Sequence, residues 1–309
     1  MEKKMEDNEY QLILFDRLAM IRDTVAKYGE GNFYISFSGG KDSTIIHYLI
    51  DLALPNNEIP RVFINTGIEY VDIVKFVKSL AASDPRFAII SPTKPISQVL
   101  EKYGYPFKSK EFSRKLGIFQ KHGDASKYIK LYLGGLKKDG TKSKFVCPNC
   151  LRYQFSHDFD IKVSDQCCYE LKKNPAHKWA KDNNKPISIL GLRQAEGGQR
   201  QNHKGCAVFD KDGSLIKFKP LNPISDEWEE EFIERNNIRL CNLYYPPFNF
   251  KRTGCKGCPY ALDLQEQLTT MALYLPNERK QCEIIWKKVY NEYRRIGYRL
   301  KADEQLKLL

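Results

Sequence analysis

Residues 32–44 read Asn32-Phe33-Tyr34-Ile35-Ser36-Phe37-Ser38-Gly39-Gly40-Lys41-Asp42-Ser43-Thr44. The first five residues are an extended apolar run. Thr44-Ile45-Ile46-His47-Tyr48-Leu49-Ile50 carries a helical pattern. Between them lies a Gly-rich turn. A strand, such a turn and a helix N-terminus together make an anion cradle, because the amides point inward and the helix dipole favours negative charge. Ser38, Ser43 and Thr44 add hydroxyl donors, and Lys41 adds a cation.

Outward from this stretch, further strand-like runs fall at 61–65, 87–90 and 187–190. Helical patterns separate the first three, and residues 8–29 read as an amphipathic helix. Strands alternating with helices predict an α/β fold, a doubly wound parallel sheet of about five strands covered on both faces. In such a sheet ligands bind at the C-terminal ends of the strands, where the glycine turn stands. The second strand ends in Asn65-Thr66-Gly67-Ile68-Glu69, a turn that would lie beside the first and bring Thr66 and Gly67 to a nucleotide. The expected organisation is an N-terminal helix over 1–30, a nucleotide-binding domain over 31–235 with a basic insertion at about 104–165, and a cysteine-bearing helical region over 236–309. Lys108, Lys110, Arg114, Lys115, Lys121 and Lys127 give the insertion a basic surface.

The chain has 309 residues, 42% of them hydrophobic, enough for a substantial core. No apolar run is long enough to span a bilayer and no secretory leader is visible, so a cytoplasmic location without membrane partners is expected. The net charge of +12 favours polyanionic partners, nucleic acid among them.

Nine cysteines in a reducing compartment point to metal or redox work rather than disulfides. Cys167-Cys168 and Cys255-Lys256-Gly257-Cys258 form two close pairs. Four such thiolates can ligate a [4Fe–4S] cluster or a zinc ion, and adjacent cysteines are unusual for structural zinc. Cys147-Pro148-Asn149-Cys150 lies outside that pattern. With His203 and Cys206 it could form a Cys₃His zinc site; a redox pair, an alternative cluster ligand set and two free thiols are the rival readings. Arg193 and Arg200 have the chemistry to neutralise phosphate or sulfate bidentately.

The Ser-Gly-Gly-x-Asp-Ser spacing lacks the glycine of a Walker loop and resembles the PP-loop of the N-type ATP pyrophosphatases, which cut ATP between the α and β phosphates. Cys167 to Pro175, followed by Arg252-Thr253-Gly254-Cys255-x-x-Cys258-Pro259-Tyr260, is similar to the phosphoadenylylsulfate (PAPS) and adenylylsulfate (APS) reductase family. So are Asn65 to Glu69, Gly191-Leu192-Arg193-Gln194-Ala195-Glu196 with Arg200, and the stretches Lys219 to Ile224 and Trp228 to Ile233. The resemblance runs in order over about residues 30 to 280. It implies an adenine nucleotide alpha hydrolase-like fold and a [4Fe–4S] cluster on Cys167, Cys168, Cys255 and Cys258. It also implies a nucleotide site built from Ser36, Phe37, Ser38, Gly39, Gly40, Lys41, Asp42, Ser43, Thr66, Gly67, Arg193 and Arg200. Lys41, Asp42, Ser43 and Arg193 are the expected catalytic residues.

The chain departs from typical reductases in lacking their terminal Glu-Cys-Gly-Leu/Ile-His segment. Its last cysteine, Cys282, stands in a helical setting, Lys280-Gln281-Cys282-Glu283-Ile284-Ile285. The pattern is closer to the phage and mobile-element branch and to the DNA phosphorothioation proteins. The expected function is an ATP pyrophosphatase-type enzyme that uses ATP with Mg²⁺, coupled through the cluster to sulfur transfer, with nucleic acid or a sulfur-donor protein as partner and homo-oligomerisation an open possibility. The alternatives are an APS or PAPS reductase acting on an adenylyl sulfonucleotide, and a non-catalytic nucleotide-sensing regulator.

Overall fold

A computed structural model describes residues 5–301 apart from 124, 125, 138, 145 and 198–204. The chain divides into two compact units, Met1–Pro92 with Asn174–Gly254, and Thr93–Lys173 with Cys255–Leu309.

The first unit is a six-stranded sheet. Its strands are β1 (Phe33–Phe37), β2 (Arg61–Ile64), β3 (Phe87–Ile90), β4 (Ile187–Ile189), β5 (Ala207–Phe209) and β6 (Leu215–Phe218). The order is β3-β2-β1-β4-β6-β5. All pairings are parallel except the β5–β6 hairpin. Helices α1 (Asp7–Tyr28), α2 (Lys41–Ala53), α3 (Val71–Ser83), α7 (Asn174–Asp182) and α8 (Asp226–Arg235) accompany the sheet.

The four strands read from sequence are all present, because each is a short, nearly continuous apolar run of the kind a two-sided sheet requires. Phe33 and Ile35 of β1 and Ile45, Ile46, Leu49 and Ile50 of α2 are fully buried. Among the described residues the sheet has six strands rather than about five. The added hairpin escapes a search for buried runs: β5 is largely exposed, and the two strands are joined by a turn in which the Asp210 carboxylate accepts from the amides of Asp212 and Ser214, both at 2.9 Å.

From β1 the chain moves to β2 and β3 on one side, then returns to place β4 on the other. The switch point therefore lies between β1 and β4, with Phe33 opposite Ile187 and Ile35 opposite Ile189. Open α/β sheets bind ligands in the crevice outside this point.

The second unit is helical, with α4 (Ile96–Tyr103), α5 (Lys110–His122), α6 (Lys127–Gly134), α9 (Leu264–Tyr274), α10 (Pro276–Ile285) and α11 (Lys287–Arg295). Ser109 caps α5 by accepting from the Phe112 amide at 3.1 Å, the usual economy of a helix start. Trp286, Tyr290 and Tyr293 are buried, whereas Leu273 and Ile284 stand in solvent. Lys115, counted with the basic surface of the insertion, is instead buried. Its ammonium pairs with Glu111 at 2.7 Å and sits 3.8 Å from the Tyr132 ring centroid. Ion pairing and cation–π attraction offset the loss of water there.

Candidate functional site

In the first unit the β1–α2 turn is held from three directions. Gly39 has φ +72°, a left-handed conformation that costs a side chain dearly, and a Cβ there would meet Ile73 Cγ2 at 2.9 Å. The Ser43 hydroxyl donates to the Gly40 carbonyl at 2.9 Å and accepts from the Ser38 amide at 3.1 Å. The Thr44 amide makes the first intrahelical bond, also to the Gly40 carbonyl at 3.0 Å. The amides of Lys41, Asp42 and Ser43 therefore stand outside the helical ladder, as first-turn amides do. That of Lys41 donates to the Tyr244 hydroxyl at 2.8 Å, and Tyr244 lies 2.8 Å from Thr253 Oγ1. Burial pushes the Tyr244 phenol up to about 12, so it stays a neutral donor and acceptor.

Behind the turn, Arg193 follows β4 and is 3% exposed. Its Nε donates to Asp42 Oδ1 at 2.8 Å, and its Nη2 reaches Asp226 Oδ1 and Glu229 Oε2, both at 2.7 Å. Asp226 and Glu229 are three apart in the first turn of α8, hence on one face. Ser225 caps that helix by accepting from the Trp228 amide at 3.3 Å. Trp228 is fixed between Tyr10 and Phe232 by ring stacking at 5.6 and 5.0 Å. Lys41 Nζ lies 3.2 Å from the same Glu229 oxygen.

The charges of this cluster set one another. Desolvation works against the Arg193 cation, but Glu229 and Asp42 outweigh it and hold its pKa above the ordinary value. Glu229 has a fully buried side chain. Desolvation and then the Asp42 charge push it up to about 8, against the pull of Arg193 and Lys41. At neutral pH it carries a proton for much of the time. The guanidinium expected to meet phosphate is thus committed to three carboxyl groups, and Lys41 is the cation at the turn itself.

Thr66 and Gly67 follow β2 on the same sheet edge as the β1 turn. The Thr66 amide donates to Glu69 Oε2 at 2.8 Å and its hydroxyl to Glu69 Oε1 at 2.8 Å, so this turn is closed on itself. Arg200 and His203 lie outside the described residues.

In the second unit Cys167, Cys168, Cys255 and Cys258 gather. Burial, then the charges of Cys168, Cys255 and Cys258, push the Cys167 thiol well above its ordinary range. Burial, then Cys255 and Cys168, push Cys258 up to about 12. Each pair thus feels the other electrostatically. Among the described residues no group of three or more His, Cys, Asp or Glu is closed tightly enough to hold a single metal ion. Cys147 is buried and Cys150 exposed in the same unit. Burial raises the Cys147 thiol to about 11. Cys206 belongs to the first unit, with its Sγ 3.5 Å from Arg17 Nη1. Cys282 is fully buried, and desolvation raises it to about 12. A Cβ on Gly257 would meet its Sγ at 2.8 Å, so backbone covers this thiol.

The profile of the phosphoadenosine phosphosulfate reductase domain matches residues 32–144 and 137–261. The chain belongs to this family. The reductase-domain match takes in the β1 turn, Arg193, Glu229 and both cysteine pairs, and stops short of Cys282. An uncharacterized protein of Methanocaldococcus jannaschii is 31% identical over 107 residues, which are 35% of this chain and 25% of that protein. The chain therefore matches about a quarter of that relative's length. Among solved structures, the PAPS reductase of Candida auris in a phosphate complex is 15% identical, with coverage of 82% of this chain and 98% of that one and a TM-score of 0.46. The U34-tRNA thiolase NcsA of Methanococcus maripaludis, solved with its [4Fe–4S] cluster, is 13% identical, with coverage of 96% and 82% and a TM-score of 0.38.

Sequence reasoning singled out the turn and Arg193 but not Glu229, Asp226, Tyr244 or Thr253 as site residues. Glu229 and Thr253 stood inside recognised segments. The residue type that mattered, a carboxyl three positions from another at a capped helix start, was there to be read.

Proposed function

We propose that this member of the PAPS reductase domain family binds ATP as its Mg²⁺ complex at the β1 turn and cleaves it at the α-phosphate. In this reading an acceptor atom attacks the α-phosphorus, the α–β bridging bond breaks, pyrophosphate leaves and the adenylyl group stays on the acceptor. The observation that carries the reading is the Arg193 cluster. It pins Asp42, Glu229 and the first turn of α2 in place, leaving the amides of Asp42 and Ser43 to face an anion beside the Lys41 ammonium, which rests 3.2 Å from Glu229. Fixed donors aimed at a phosphate are the main source of rate in phosphoryl and nucleotidyl transfer. Ser38, Gly39, Gly40, Lys41, Asp42 and Ser43 bind the phosphates in this proposal, and Arg193 is a positioning residue. Ser36, Phe37, Thr66 and Gly67 border the nucleotide.

The thiol set of the second unit fits a [4Fe–4S] cluster by donor chemistry, four cysteines in two pairs that would bind as thiolates once a cationic centre displaces their protons. Cys167, Cys168, Cys255 and Cys258 would hold it. When bound, it supplies a redox-active centre for handling sulfur, and the adenylylated acceptor is the species that receives the sulfur. A zinc ion on Cys147, Cys150, His203 and Cys206 stays a secondary proposal. An adenylyl sulfonucleotide reductase needs a nucleophilic thiol. Cys282, buried and with a raised pKa, is poorly suited to that role.

The test is the product. Anaerobic protein with MgATP, a sulfur donor and single-stranded nucleic acid as acceptor should release pyrophosphate as the acceptor is adenylylated and AMP as sulfur displaces the adenylyl group, and Cys282→Ser should retain this. Sulfite release from APS or PAPS with thioredoxin, lost in Cys282→Ser, would overturn the proposal in favour of reduction. Tight ATP binding with no product would favour a nucleotide sensor.

A further inference from the structure

The second unit contains a cavity of about 520 Å³ between the end of α4, one face of α5 and the segment 156–166. Sites that enclose a small organic group run from ~300 to ~1,000 Å³. We propose that this cavity receives a splayed-out base of a single-stranded nucleic acid and presents it beside the four-cysteine cluster. The proposal rests on the sulfur-transfer reading above and names its acceptor.

Three observations converge on it. First, the lining is basic, with Lys102, Arg114, Lys121 and Lys162 against Asp160 and Asp165. Lys162 Nζ is spent on the Lys102 carbonyl at 2.6 Å, but Lys102, Arg114 and Lys121 are exposed and can meet a phosphodiester backbone. Second, the same walls carry flat rings. Tyr103 has the ammonium groups of Lys102 and Lys94 at 5.1 and 6.0 Å from its centroid. The exposed ring of His157 leans on Phe119 at 6.0 Å, and Phe159 lies alongside. Cations that track a backbone, combined with aromatic faces for bases, are how single strands are held without a sequence code. A base within a duplex offers no such face, so the strand must be unpaired here.

Third, the cavity wall runs into the thiols. Ser164, Asp165 and Gln166 line it, and Cys167 is the next residue. The wall is stiff. The Ser164 amide donates to the Tyr105 carbonyl at 3.0 Å, and the Gln120 side chain bonds both Val163 N at 2.9 Å and Ile161 O at 2.8 Å. Tyr260, in electrostatic reach of Cys168 and Cys258, approaches the Ser164 carbonyl at 3.5 Å. An atom of a base in the cavity is thereby brought toward the place where sulfur would be handled.

The experiment uses the full-length protein with short single-stranded RNA and DNA oligonucleotides carrying 5-iodouracil. Ultraviolet crosslinking followed by peptide mapping should place the adduct on Tyr103, His157 or Phe159, and comparison of the two oligonucleotides assigns the sugar. In fluorescence anisotropy, Arg114→Ala/Lys121→Ala should reduce the salt slope of log K by about 1.4, two phosphates at ~0.7 each. Tyr103→Ala should weaken binding about tenfold, within the range for one stacked base. Because Arg114 and Lys121 are exposed, their removal leaves the core intact and the result is readable even if Tyr103→Ala folds poorly. Adducts confined to other surfaces, an unchanged salt slope, or a duplex that binds and crosslinks equally well would overturn the proposal. Pyrophosphate release from ATP, measured on the same wild-type preparation with the unmodified oligonucleotide present as acceptor, reports on the reaction separately. Its absence with crosslinking retained would sink the reaction and leave the cavity assignment standing.

Discussion

Around the β1 turn the protein supplies both signs of charge, and around the four gathered cysteines it supplies thiols that burial holds neutral, Cys167 and Cys258 foremost. Arg193 and Lys41 are interleaved with Asp42, Asp226 and Glu229 at 2.7–3.2 Å, so that site is balanced by its own side chains. Cys167 and Cys258 are surrounded by other thiols, and Lys172, a minor influence on both, is the cation that acts on them. The first region is balanced before any ligand arrives, so its side chains hold their places without one. The second keeps its thiols protonated, and they become thiolates only when positive charge from outside the chain takes the place of the protons, as metal binding does.

The sharpest way to break the contrast is Cys258→Ala. Anaerobically purified wild-type protein should be brown and carry iron and sulfide, while the variant should lose both entirely; zinc without iron in the wild type would show that the positive charge is of another kind. Next in size is Arg193→Ala. Removing the cation strips the half-exposed Asp42 and the buried Glu229 of their guanidinium partner, and the loss should lower the midpoint of urea unfolding. AMP formation should fall by ~10² because the donors at the turn lose their backing. Unchanged stability would mean that the carboxyl groups do not depend on the guanidinium.

Glu229 sharpens the comparison through pH. Its folded-state pKa of about 8 lies above the ordinary 4.5. Its contribution to stability is therefore fully present below pH 4.5 and is lost as pH rises through about 8, because the native state binds the extra proton. Glu229→Gln should flatten that limb of the stability profile, measured by denaturant midpoints across pH; an identical slope would refute the assignment. A smaller effect belongs to Gly39→Ala. The left-handed backbone alone costs about 1–2 kcal/mol, and the Cβ contact with Ile73 adds to it, so ATP affinity and midpoint should fall together. The smallest is Tyr244→Phe. It removes the acceptor of the Lys41 amide for about 1 kcal/mol, and calorimetric ATP binding should change little in the same protein.

Much of this was legible in the chain because local rules set it. The run Phe33 to Phe37 is apolar on both faces and can only be an interior strand, and Gly39 is needed where φ turns positive. The hairpin of β5 and β6 was not read because Ala207-Val208-Phe209 lies mostly in solvent, although Asp210 to Ser214 carries turn residues between two apolar stretches. The pairing of Glu229 with Lys41, and of Tyr244 with the Lys41 amide, is not a property of any window of sequence. Both arise because the chain returns to the switch point after β6, a matter of topology rather than pattern. The two cysteine pairs were readable because cysteine is rare and its spacing is chemical. The burial of Cys282 beneath Gly257 was not, since its helix carries charged residues on both sides.

A Cβ on Gly191, just beyond β4, would stand 2.8 Å from the carbonyl carbon of Asp42 and 2.9 Å from its oxygen. The end of β4 is thus pressed directly on the first turn of α2, and β4 is itself laddered to β1 on one side and β6 on the other. The β1–α2 turn is accordingly braced by the middle of the sheet. The bonded amides there, those of Lys41 and Thr44, should exchange with deuterium only when the middle of the sheet comes apart, whereas those of Asp42 and Ser43, outside the helical ladder, should exchange fast until a ligand covers them. Activity would then persist on heating until the whole unit melts and vanish with it, with no partly active intermediate along the way.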